Sequence, residues 1–417
     1  MHILFLADNF PPEVNAPASR THEHCREWVK AGHRVTVLTC APNFPRGKVY
    51  PGYRNKIWQR EDIDGIHVVR VWTYITVNEG FFRRILDYQS FMLSAILVAP
   101  FVRGVDIVIG TSPQFFTACA AYVVALYKRV PFIFELRDIW PESIKAVGAG
   151  DDAAWLHWLE HVELFLYRKA RRIISVTHSF RENLVRRGID RNKIRVVTNG
   201  VDASRFVPRA RDEVLATQLG LGGKFVAGYV GTHGMAHGLE TLLDAAELVR
   251  SRAGGEKFRF LLLGDGARKM ALVQTASARG LNNVVFVDSV GKDEVARYWA
   301  LLDVAIIHLR RTELFASVIP SKLFESMGMG IPVLLGLKGE SADIVRNEQT
   351  GLLFEPEDPV SLVDALETLA ESDSSREKYR VNALAAAKNY NRSTLAAMML
   401  KELEAVAADS AHLHGIY

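Results

Sequence analysis

The stretch IPSKLFESMGMGIPVLL, residues 319–335, decides the fold prediction. It follows the β-rich residues 304–309, and Pro320 is suited to the first turn of a helix. The break at residues 330–332 ends that helix, and residues 333–335 resume a buried strand. The pattern therefore predicts strand, helix and strand, which is one unit of an α/β sheet.

The start of this helix is a candidate diphosphate site. Unpaired N–H groups and the positive end of the helix dipole attract phosphate oxygens to Ser321, Lys322 and Leu323, and Lys322 adds a full charge. Glu325 lies one turn further along and is placed to accept ribose hydroxyl groups. The alternative is an ordinary αβ unit with a surface Lys–Glu pair, and the segment alone does not separate the two.

Short β-rich runs alternate with helical patterns along the chain. The predicted strands are residues 2–7, 35–39, 68–72, 105–110, 131–135, 172–176 and 194–197, then 225–230, 258–263, 284–287, 304–308 and 333–335. The two series predict two doubly wound, Rossmann-like α/β domains with parallel sheets. The turn-rich residues 199–202 separate an N-terminal domain, 1–200, from a C-terminal domain, 201–394. Because ligands of open α/β sheets bind at the carboxyl ends of the strands, we expect a nucleotide cleft between the domains.

Length, charge and cysteine usage disfavour several classes of protein. A chain of 417 residues with 49% hydrophobic and 24% charged residues is typical of a globular protein with a large core. Its net charge of +4 is too small to indicate nucleic acid as a partner. Three cysteines without a CxxC pair favour a reducing compartment and no structural metal. The chain opens on a predicted strand and has no apolar run of roughly 18 residues, so we expect a cytoplasmic protein that does not span the membrane.

The loop after the first strand, residues 8–20, lacks the GxGxxG motif of dinucleotide-binding enzymes. This lack disfavours an NAD-dependent enzyme. We expect the loop to contact a sugar donor or acceptor, with Asn15 and Arg20 as the contacts. The alternative is a proline-rich turn in which Ser19 caps the next helix.

A second glycine-rich turn, residues 228–238, follows the first strand of the C-terminal domain. Small residues there let a phosphate group approach backbone N–H groups, and imidazole rings can add hydrogen bonds. The candidate contacts are Gly231, Thr232, His233 and His237. Lys269, after the next strand, is a further candidate for a phosphate or base contact.

Three charged residues stand at the end of a predicted buried strand: Glu135, Arg137 and Asp138. Charges in such a position need partners or a solvent-filled cleft. Arg137 can bind a diphosphate, while Asp138 or Glu135 can accept a hydroxyl proton or position a sugar. With Lys322 they form the predicted catalytic set. The alternative is a structural Arg–Asp network near the cleft.

Residues 72–103 combine aromatic, basic and apolar side chains. This composition suits a surface that contacts a bilayer and would serve a lipid-linked acceptor. For residues 91–101 we favour a buried helix, which leaves residues 81–84 as the predicted membrane contact.

Five motifs together resemble the retaining GT-B glycosyltransferases, most of all the bacterial O-antigen and capsule enzymes described as N-acetyl-L-fucosamine transferases. The motifs are DNFPPEVNAP at residues 8–17, CAPNFPRGKVYPGY at 40–53, RDIWPES at 137–143, NGVD at 199–202 and PSKLFE at 320–325. The resemblance spans nearly the whole chain. It implies a UDP-sugar donor, retention of anomeric configuration, no required cofactor or metal, and an undecaprenyl-diphosphate-linked acceptor. It also implies that a C-terminal helix within residues 395–417 joins the first domain.

The chain departs from the broader superfamily at several positions. The first member of the usual Glu-x7-Glu pair would fall at Ser317, and the usual active-site His aligns with Arg137. The usual Arg and Lys near the second glycine-rich turn align with Thr232 and His237. Balancing the diphosphate charge would therefore depend chiefly on Lys322, helix N-termini and Arg137.

The resemblance implies a hexosyltransferase that moves N-acetyl-L-fucosamine or a related 2-acetamido sugar to a lipid-linked saccharide in surface polysaccharide synthesis. We expect it on the inner face of the cytoplasmic membrane, with the UDP-sugar, the acceptor and the membrane surface as partners. Two alternatives stay open. A UDP-sugar 2-epimerase would convert UDP-GlcNAc without an acceptor, and a nucleotide-sugar-binding protein would carry out no catalysis.

Overall fold

The computed structural model describes residues 1–44, 47–76, 81–112, 114–139, 154–291 and 293–414, without the side chains of 81–82, 154–155 and 411–414. It divides into two compact units, here named the N-terminal domain (Met1–Thr198 with Arg392–Tyr417) and the C-terminal domain (Asn199–Asn391). The chain changes domain at residue 199 and returns at residue 392, a few residues before each boundary in the sequence prediction. Motif residues 140–143 lie outside the described residues.

The described part of the N-terminal domain contains an eight-stranded sheet. The strands are β1 His2–Leu6, β2 Arg34–Cys40, β3 Trp58–Ile63, β4 Ile66–Val71, β5 Ile107–Thr111, β6 Phe132–Leu136, β7 Arg172–Ser175 and β8 Ile194–Val196. Their spatial order is β3-β4-β2-β1-β5-β6-β7-β8, and each neighbouring pair is parallel except β3 and β4. The order reverses between β1 and β5, so the loops that follow these two strands border a natural binding crevice.

Strand β3 was not predicted from the sequence. It joins β4 through Asp64 and Gly65, whose φ angles of 54° and 78° are those required at the two centres of a type I′ hairpin turn. The side chains of β3 are half-buried or exposed. The strand therefore lacks the apolar run that marks its buried neighbours.

Helices cover both faces of this sheet. They are α1 Ala16–Lys30, α2 Phe81–Val98, α3 Phe115–Lys128, α4 Ala154–Lys169, α5 His178–Arg186 and, last in the chain, α15 Arg392–His414. Because side chains alternate along a strand, Leu4 and Leu6 join the core under α2 to α5, whereas Ile3 and Phe5 join the core under α1 and α15. The last helix is tied to α1, since Trp28 Nε1 donates to the carbonyl of Ala396 at 2.9 Å.

The C-terminal domain contains a six-stranded parallel sheet in its described residues. The strands are β9 Phe225–Val230, β10 Phe258–Leu263, β11 Val284–Val287, β12 Val304–His308, β13 Val333–Gly336 and β14 Gly351–Leu353, in the order β11-β10-β9-β12-β13-β14. The helices are α6 Glu213–Gln218, α7 Glu240–Arg250, α8 Lys269–Ala278, α9 Val295–Trp299, α10 Glu313–Ala316, α11 Ser321–Met329, α12 Glu340–Glu348, α13 Pro359–Glu371 and α14 Asp373–Asn389. Only the short edge strand β14 is absent from the predicted set for this domain. The order reverses between β9 and β12, which places the crevice of this sheet at their carboxyl ends.

Helix α2 is amphipathic rather than buried. Phe91 and Ala95 are buried as predicted, but Leu93, Leu97 and, just beyond the helix, Phe101 are exposed. The prediction of a buried helix for residues 91–101 is therefore correct for one side of the helix and wrong for the other. Within the described ranges, none of the helices combines the length and apolar character needed to cross a membrane.

Candidate functional site

The glycine-rich turn after β9 lies against the start of α11. Gly231 has a φ of 141°, a conformation that favours glycine, and a Cβ atom there would lie only 2.9 Å from Lys322 Nζ. Two segments predicted separately, the turn and the helix start, thus form one site at the carboxyl end of β9.

The Lys322 amine is buried beside this turn. Its Nζ lies 3.7 Å from the centroid of the Tyr229 ring and has no hydrogen-bond partner among the described residues. Burial lowers the pKa of Lys322 to about 7, although the charge of Glu325 acts in the opposite direction. A cation over an aromatic face is only partly compensated for the loss of water, so a buried amine of this kind is stabilised further when an anion binds it.

Two histidines complete the basic surroundings of Tyr229. Both ring nitrogens of His233 and Nδ1 of His237 are buried, and the described part of the chain supplies them with no hydrogen bond. The rings lie 5.9 Å and 6.0 Å from Tyr229, centroid to centroid. Burial and the charges of Lys269 and Lys322 lower the pKa of His233 to about 4, and burial and the charge of Lys322 lower the pKa of His237 to about 3. Near pH 7 the two imidazole rings are therefore neutral, whereas the Lys322 amine is partly protonated.

The start of α11 adds a helix dipole to this set. Ser321 is its first residue, and Pro320 precedes it without a side-chain cap. The Leu323 side chain is buried in the core, and its N–H donates to the Pro320 carbonyl at 3.0 Å. Both groups of Leu323 are thus engaged within the protein, whereas the Lys322 amine lies beside the glycine-rich turn.

Lys269 braces two strand ends. Its Nζ donates to the carbonyls of Gly264 and Val287 at 2.8 Å and 3.2 Å and to the Asp288 carboxylate at 2.5 Å. The predicted phosphate contact is therefore held by protein groups at the ends of β10 and β11.

A cavity of about 290 Å³ opens at the carboxyl ends of β12, β13 and β14. Its lining comprises Arg310, Arg311, Thr312, Glu313, Phe315, Ala316, Leu337, Lys338 and Pro356. Arg310 N–H donates to the Ala236 carbonyl at 2.9 Å, so the cavity adjoins the glycine-rich turn. The Lys338 amine lies 2.8 Å from the Glu355 carboxylate and is therefore paired. Phe315, Leu337 and Pro356 form the apolar part of the cavity lining.

A second cavity, of about 210 Å³, lies in the N-terminal domain beside the loops that follow β1 and β5. Its lining comprises Asp8, Asn9, Asn15, Pro17, Asn43, Phe44, Gly47, Thr76, Arg84, Asp87, Tyr88 and Gln114. Asn15 accepts a hydrogen bond from the Ala18 N–H at 2.9 Å and is the N-cap of α1. The suggestion that Ser19 caps this helix is wrong, because the helix begins at Ala16, one turn earlier.

Two carboxyl groups dominate this polar cavity. Burial raises the pKa of Asp8, against hydrogen bonds from Gln114 and Cys40, and Asp8 Oδ1 has no partner in the described ranges. Burial and the nearby charge of Asp8 raise the pKa of Asp87 to about 8, with Arg84 acting in the opposite direction. Near neutral pH the Asp87 carboxyl is therefore mostly protonated, and the two carboxyl groups together can accept hydrogen bonds from hydroxyl groups and donate to them.

The charged residues around β6 form a buried network. Arg20 Nε donates to Glu135 at 3.0 Å, and its terminal nitrogens donate to the carbonyls of Thr198 and Val197 at 2.8 Å and 3.1 Å. Burial would raise the pKa of Glu135, but the charges of Arg20 and Arg137 outweigh it and hold that pKa below its ordinary value. A buried ion pair thus exists between Arg20 and Glu135, whereas the Arg–Asp network offered as an alternative from the sequence stays a prediction.

Arg137 and Asp138 follow β6 at the edge of this network. Ser112 Oγ accepts hydrogen bonds from both of their N–H groups, at 2.8 Å and 3.2 Å, and so holds the turn. Arg137 Nη1 is buried and has no hydrogen-bond partner within the residues described. Burial lowers the pKa of Arg137 to about 9 against the charge of Glu135. The guanidinium is thus able to bind an anion.

Three residues of these sites were not singled out from the sequence. Tyr229 lies two residues before Gly231 on β9, so strand alternation could have placed it on the same side. Asp8 comes just after β1, where the end of a buried strand is itself a signal. Asp87 carries no local signal, because only the packing of α2 brings it to the loop after β1.

Two family descriptions match this chain. "Glycosyl transferase 4-like domain" matches residues 15–200, and "Glycosyl transferases group 1" matches residues 224–372. The matched segments correspond to the two domains.

Curated relatives align with most of the chain. A protein of Escherichia coli named as a colanic acid biosynthesis glycosyl transferase, WcaI, is 26% identical over 341 residues, covering 79% of this chain and 82% of the relative. A GDP-mannose-dependent alpha-mannosyltransferase of Mycobacterium tuberculosis is 29% identical over 364 residues, covering 85% and 84%.

A solved structure shows the same architecture. The Anabaena protein HepE, solved with UDP and glucose, superposes with a TM-score of 0.70 at 18% identity and covers 96% of this chain and 99% of that protein. With two matched glycosyl transferase domains on a two-domain fold of the GT-B type, the chain is a glycosyltransferase enzyme.

Proposed function

We propose that the protein is a retaining, metal-independent transferase that moves a 2-acetamido sugar from a UDP-sugar to an undecaprenyl-diphosphate-linked saccharide. The observation that carries the proposal is the buried Lys322 amine, which has no hydrogen-bond partner within the described ranges and lies over Tyr229 beside Gly231. An unpaired buried cation next to a glycine-rich turn and a helix N-terminus suits a diphosphate.

The nucleotide is the first point to decide. HepE was solved with UDP, whereas the mycobacterial relative is named for GDP-mannose. Glu325 lies one turn after Lys322 and, in this proposal, accepts the ribose hydroxyl groups shared by both nucleotides. The base must therefore be chosen elsewhere, and we take UDP as the donor nucleotide and GDP as the second candidate.

The apolar part of the 290 Å³ cavity supports a donor sugar that carries methyl groups. The apolar side chains of Phe315, Leu337 and Pro356 suit an acetamido methyl group or a 6-deoxy carbon better than they suit hydroxyl groups. N-acetyl-L-fucosamine carries both. The basic residues at the rim, Arg311 and Lys338, lie 3.3 Å and 2.8 Å from Glu355, so the cavity does not require a charged sugar.

In the proposed reaction the acceptor hydroxyl attacks the anomeric carbon from the face that the UDP leaves. The new glycosidic bond forms as the bond to the diphosphate oxygen breaks, and a donor phosphate oxygen takes the hydroxyl proton. Lys322 becomes fully protonated when the diphosphate binds and stabilises the charge that develops on it, with His237 and the start of α11 as further donors. Arg137 supplies its unpaired Nη1 to a diphosphate of the donor or the acceptor.

The acceptor assignment rests on the polar cavity of the N-terminal domain. Asp8, Asp87, Asn9 and Gln114 can hydrogen-bond several sugar hydroxyl groups at once. The E. coli relative is named for colanic acid biosynthesis, which supports a role in surface polysaccharide synthesis at the inner face of the cytoplasmic membrane.

Ligand binding to the purified protein tests the donor directly. Thermal unfolding is measured with UDP, GDP, ADP, CMP and NAD in the presence of EDTA, because a ligand of the folded state raises its apparent stability. A shift with UDP alone supports the proposal, and a shift with GDP alone transfers the donor assignment to a GDP-sugar. A response only after metal is added contradicts metal independence.

Turnover separates the transferase from its alternatives. UDP release from a UDP-2-acetamido sugar is measured with and without a lipid-linked acceptor, and the product anomer is read by NMR. Both matched families are glycosyltransferases, which disfavours a 2-epimerase. Conversion of UDP-GlcNAc to an epimer without acceptor would nevertheless sink the transferase assignment.

A further inference from the structure

The outer side of α2 is apolar although it faces away from the core. Leu86, Leu93 and Leu97 are 54%, 57% and 72% exposed and follow one another at helical spacing, i, i+7 and i+11. The opposite side of the same helix packs Phe91 and Ala95 into the core. A soluble helix normally presents polar side chains on its outer side, so this stripe needs an occupant.

Helix α3 extends the stripe into a surface. Val123, Leu126 and Tyr127 are exposed on its outer side. Tyr127 Oη donates to the Ile96 carbonyl at 3.4 Å, and Lys128 Nζ donates to the Val102 carbonyl at 2.6 Å. The C-terminal ends of α2 and α3 therefore lie side by side.

Aromatic rings border this surface at one end. Phe101 is 59% exposed and lies 5.0 Å from the ring of Trp58, centroid to centroid. Trp158 on α4 is exposed as well, and Phe165 of that helix contacts Tyr122 of α3 at 5.4 Å. Amphipathic aromatic rings at the edge of an apolar surface are typical of the bilayer interface.

The charges on the two helices have one sign at the surface. Arg83 on α2 and Arg129 after α3 are exposed, and α3 contains no acidic residue. The single acidic residue of α2, Asp87, is half-buried in the polar cavity, where burial and Asp8 raise its pKa to about 8 against Arg84. The surface thus joins exposed leucines to cations and offers no matching anion.

We infer that the surface formed by the exposed side chains of α2 and α3 docks on an anionic lipid bilayer. Insertion of the leucines would remove apolar area from water, and each basic residue near an anionic surface would add to the binding. A second copy of the chain fits less well, because a two-fold contact would bring Arg83 and Arg129 close to the cations of the other copy without an exposed acidic partner on α2 or α3 for either. The leucines suit acyl chains and the arginines suit phosphate headgroups.

Docking in this orientation deepens the proposed function and rests on its lipid-linked acceptor. The N-terminal half of α2 lines the polar cavity through Arg84, Asp87 and Tyr88. Because a helix is about 10–12 Å across, the cavity would lie within about that distance of the headgroups. A saccharide attached to a membrane lipid could then reach the cavity without leaving the bilayer.

Vesicle co-sedimentation tests the surface with the full chain. The double variant Leu93→Glu, Leu97→Glu is compared with wild type and with a matched control, Val214→Glu, Val381→Glu, at positions 66% and 52% exposed in the C-terminal domain. Vesicles are phosphatidylcholine with and without phosphatidylglycerol. We expect wild type and control to bind the anionic vesicles. The affinity of the Leu93, Leu97 variant for them should be lower by roughly tenfold or more, since charges replace the inserted side chains.

Other results would overturn the inference or assign the surface to a different partner. Equal binding by all three proteins, or no binding by wild type, overturns the inference. A wild-type dimer that the Leu93, Leu97 variant converts to a monomer, measured by light scattering without vesicles, assigns the surface to self-association instead. The thermal shift with UDP should be the same in all three proteins, so failure of the membrane inference and failure of the donor assignment can be told apart.

Discussion

Each domain has a buried basic residue, and the two differ in whether hydrogen-bond partners surround them. In the N-terminal domain, Arg20 has a carboxylate and two carbonyl oxygens within hydrogen-bond distance and holds Glu135 in place. In the C-terminal domain, Lys322 Nζ is equally hidden from water, but it lies over the Tyr229 ring beside Gly231 and has no hydrogen-bond partner among the described residues. The paired charge stabilises the fold, and the unpaired charge is the one that we propose binds a ligand.

The comparison shows why burial alone does not identify a functional residue. Both groups were candidates for ligand contact from the sequence, where a basic residue after a strand is all that can be seen. The structure separates them by counting partners. Arg137 resembles Lys322 more than it resembles Arg20, since its Nη1 is buried with no hydrogen bond within the described residues.

Removal of Arg20 should have the largest effect on stability. Arg20→Met leaves Glu135 buried without its partner, and loss of one member of a buried ion pair costs about 3–5 kcal/mol. Denaturant unfolding measures the change, with Arg380→Met as a control because Arg380 and Glu377 are exposed and a surface ion pair contributes little to stability. The double variant Arg20→Met, Glu135→Leu should recover part of the loss, and equal destabilisation by the two single variants would remove the distinction drawn here.

Removal of Lys322 should leave the fold intact and abolish most turnover. Lys322→Met replaces an unpaired buried amine with an apolar chain of similar length, so the melting temperature should not fall. Loss of one donor to a developing charge lowers the rate about 10²–10³-fold. UDP release in the presence of acceptor measures the rate, with the exposed Lys388→Met as the control. A variant that keeps normal turnover contradicts the site.

The sequence was sufficient for the sheets because most strands are buried and therefore carry continuous apolar runs. The strands from β9 to β13 lie close to their predicted positions, since each is bounded by turn residues that sequence reading recognises. Strand β3 was not predicted because its side chains are half-buried or exposed, although the Asp-Gly turn that follows it was visible in the sequence.

The site could be predicted only where its residues are neighbours in the chain. The Gly231 turn and the Lys322 helix start were each recognisable, but not the contact between them. The partner of Arg20 lies 115 residues away, so no local pattern distinguishes a brace from a ligand contact. The exposed side of α2 was missed for a related reason, because a continuous apolar run does not show which side of a helix faces the core.

Binding of a diphosphate should draw a proton onto Lys322. The pKa of the free group is about 7, and an anion beside it raises that value, so the complex holds more protons than the free protein above neutral pH. The affinity for UDP should therefore fall as pH rises, by up to about tenfold per pH unit. Glu325, which already favours the charged amine, and the neutral His233 and His237 do not reverse this direction.

Calorimetry in buffers with different ionisation enthalpies measures the proton uptake. The experiment is run from about pH 7.5 to about pH 9, where UDP itself is fully ionised. Lys322→Met should show neither the uptake nor the pH dependence. Uptake that persists in the variant would assign the proton to another group.

The smallest effect on stability is expected in the polar cavity of the N-terminal domain. Its dependence on pH should be opposite in sign to that of a paired carboxylate. The pKa of Asp87 rises from 3.8 to about 8 on folding, so the folded protein holds a proton that the unfolded chain releases. Stability contributed by this group is therefore lost as pH rises from about 4 to about 8. Asp87→Asn cannot ionise and should stabilise the protein at the upper end of that window, by about 1 kcal/mol after solvent screening.

Thermal unfolding across the window checks the sign, because about 1 kcal/mol corresponds to about 2–4 °C in a domain of this size. The difference between Asp87→Asn and wild type should vanish near pH 4 and grow toward pH 8. Asp293→Asn, at a side chain 98% exposed, should show no such trend. A variant that is less stable than wild type at pH 8 would mean that Asp87 is held by a partner, as Glu135 is, and the polar cavity would then belong with the braced charges rather than with the ligand sites.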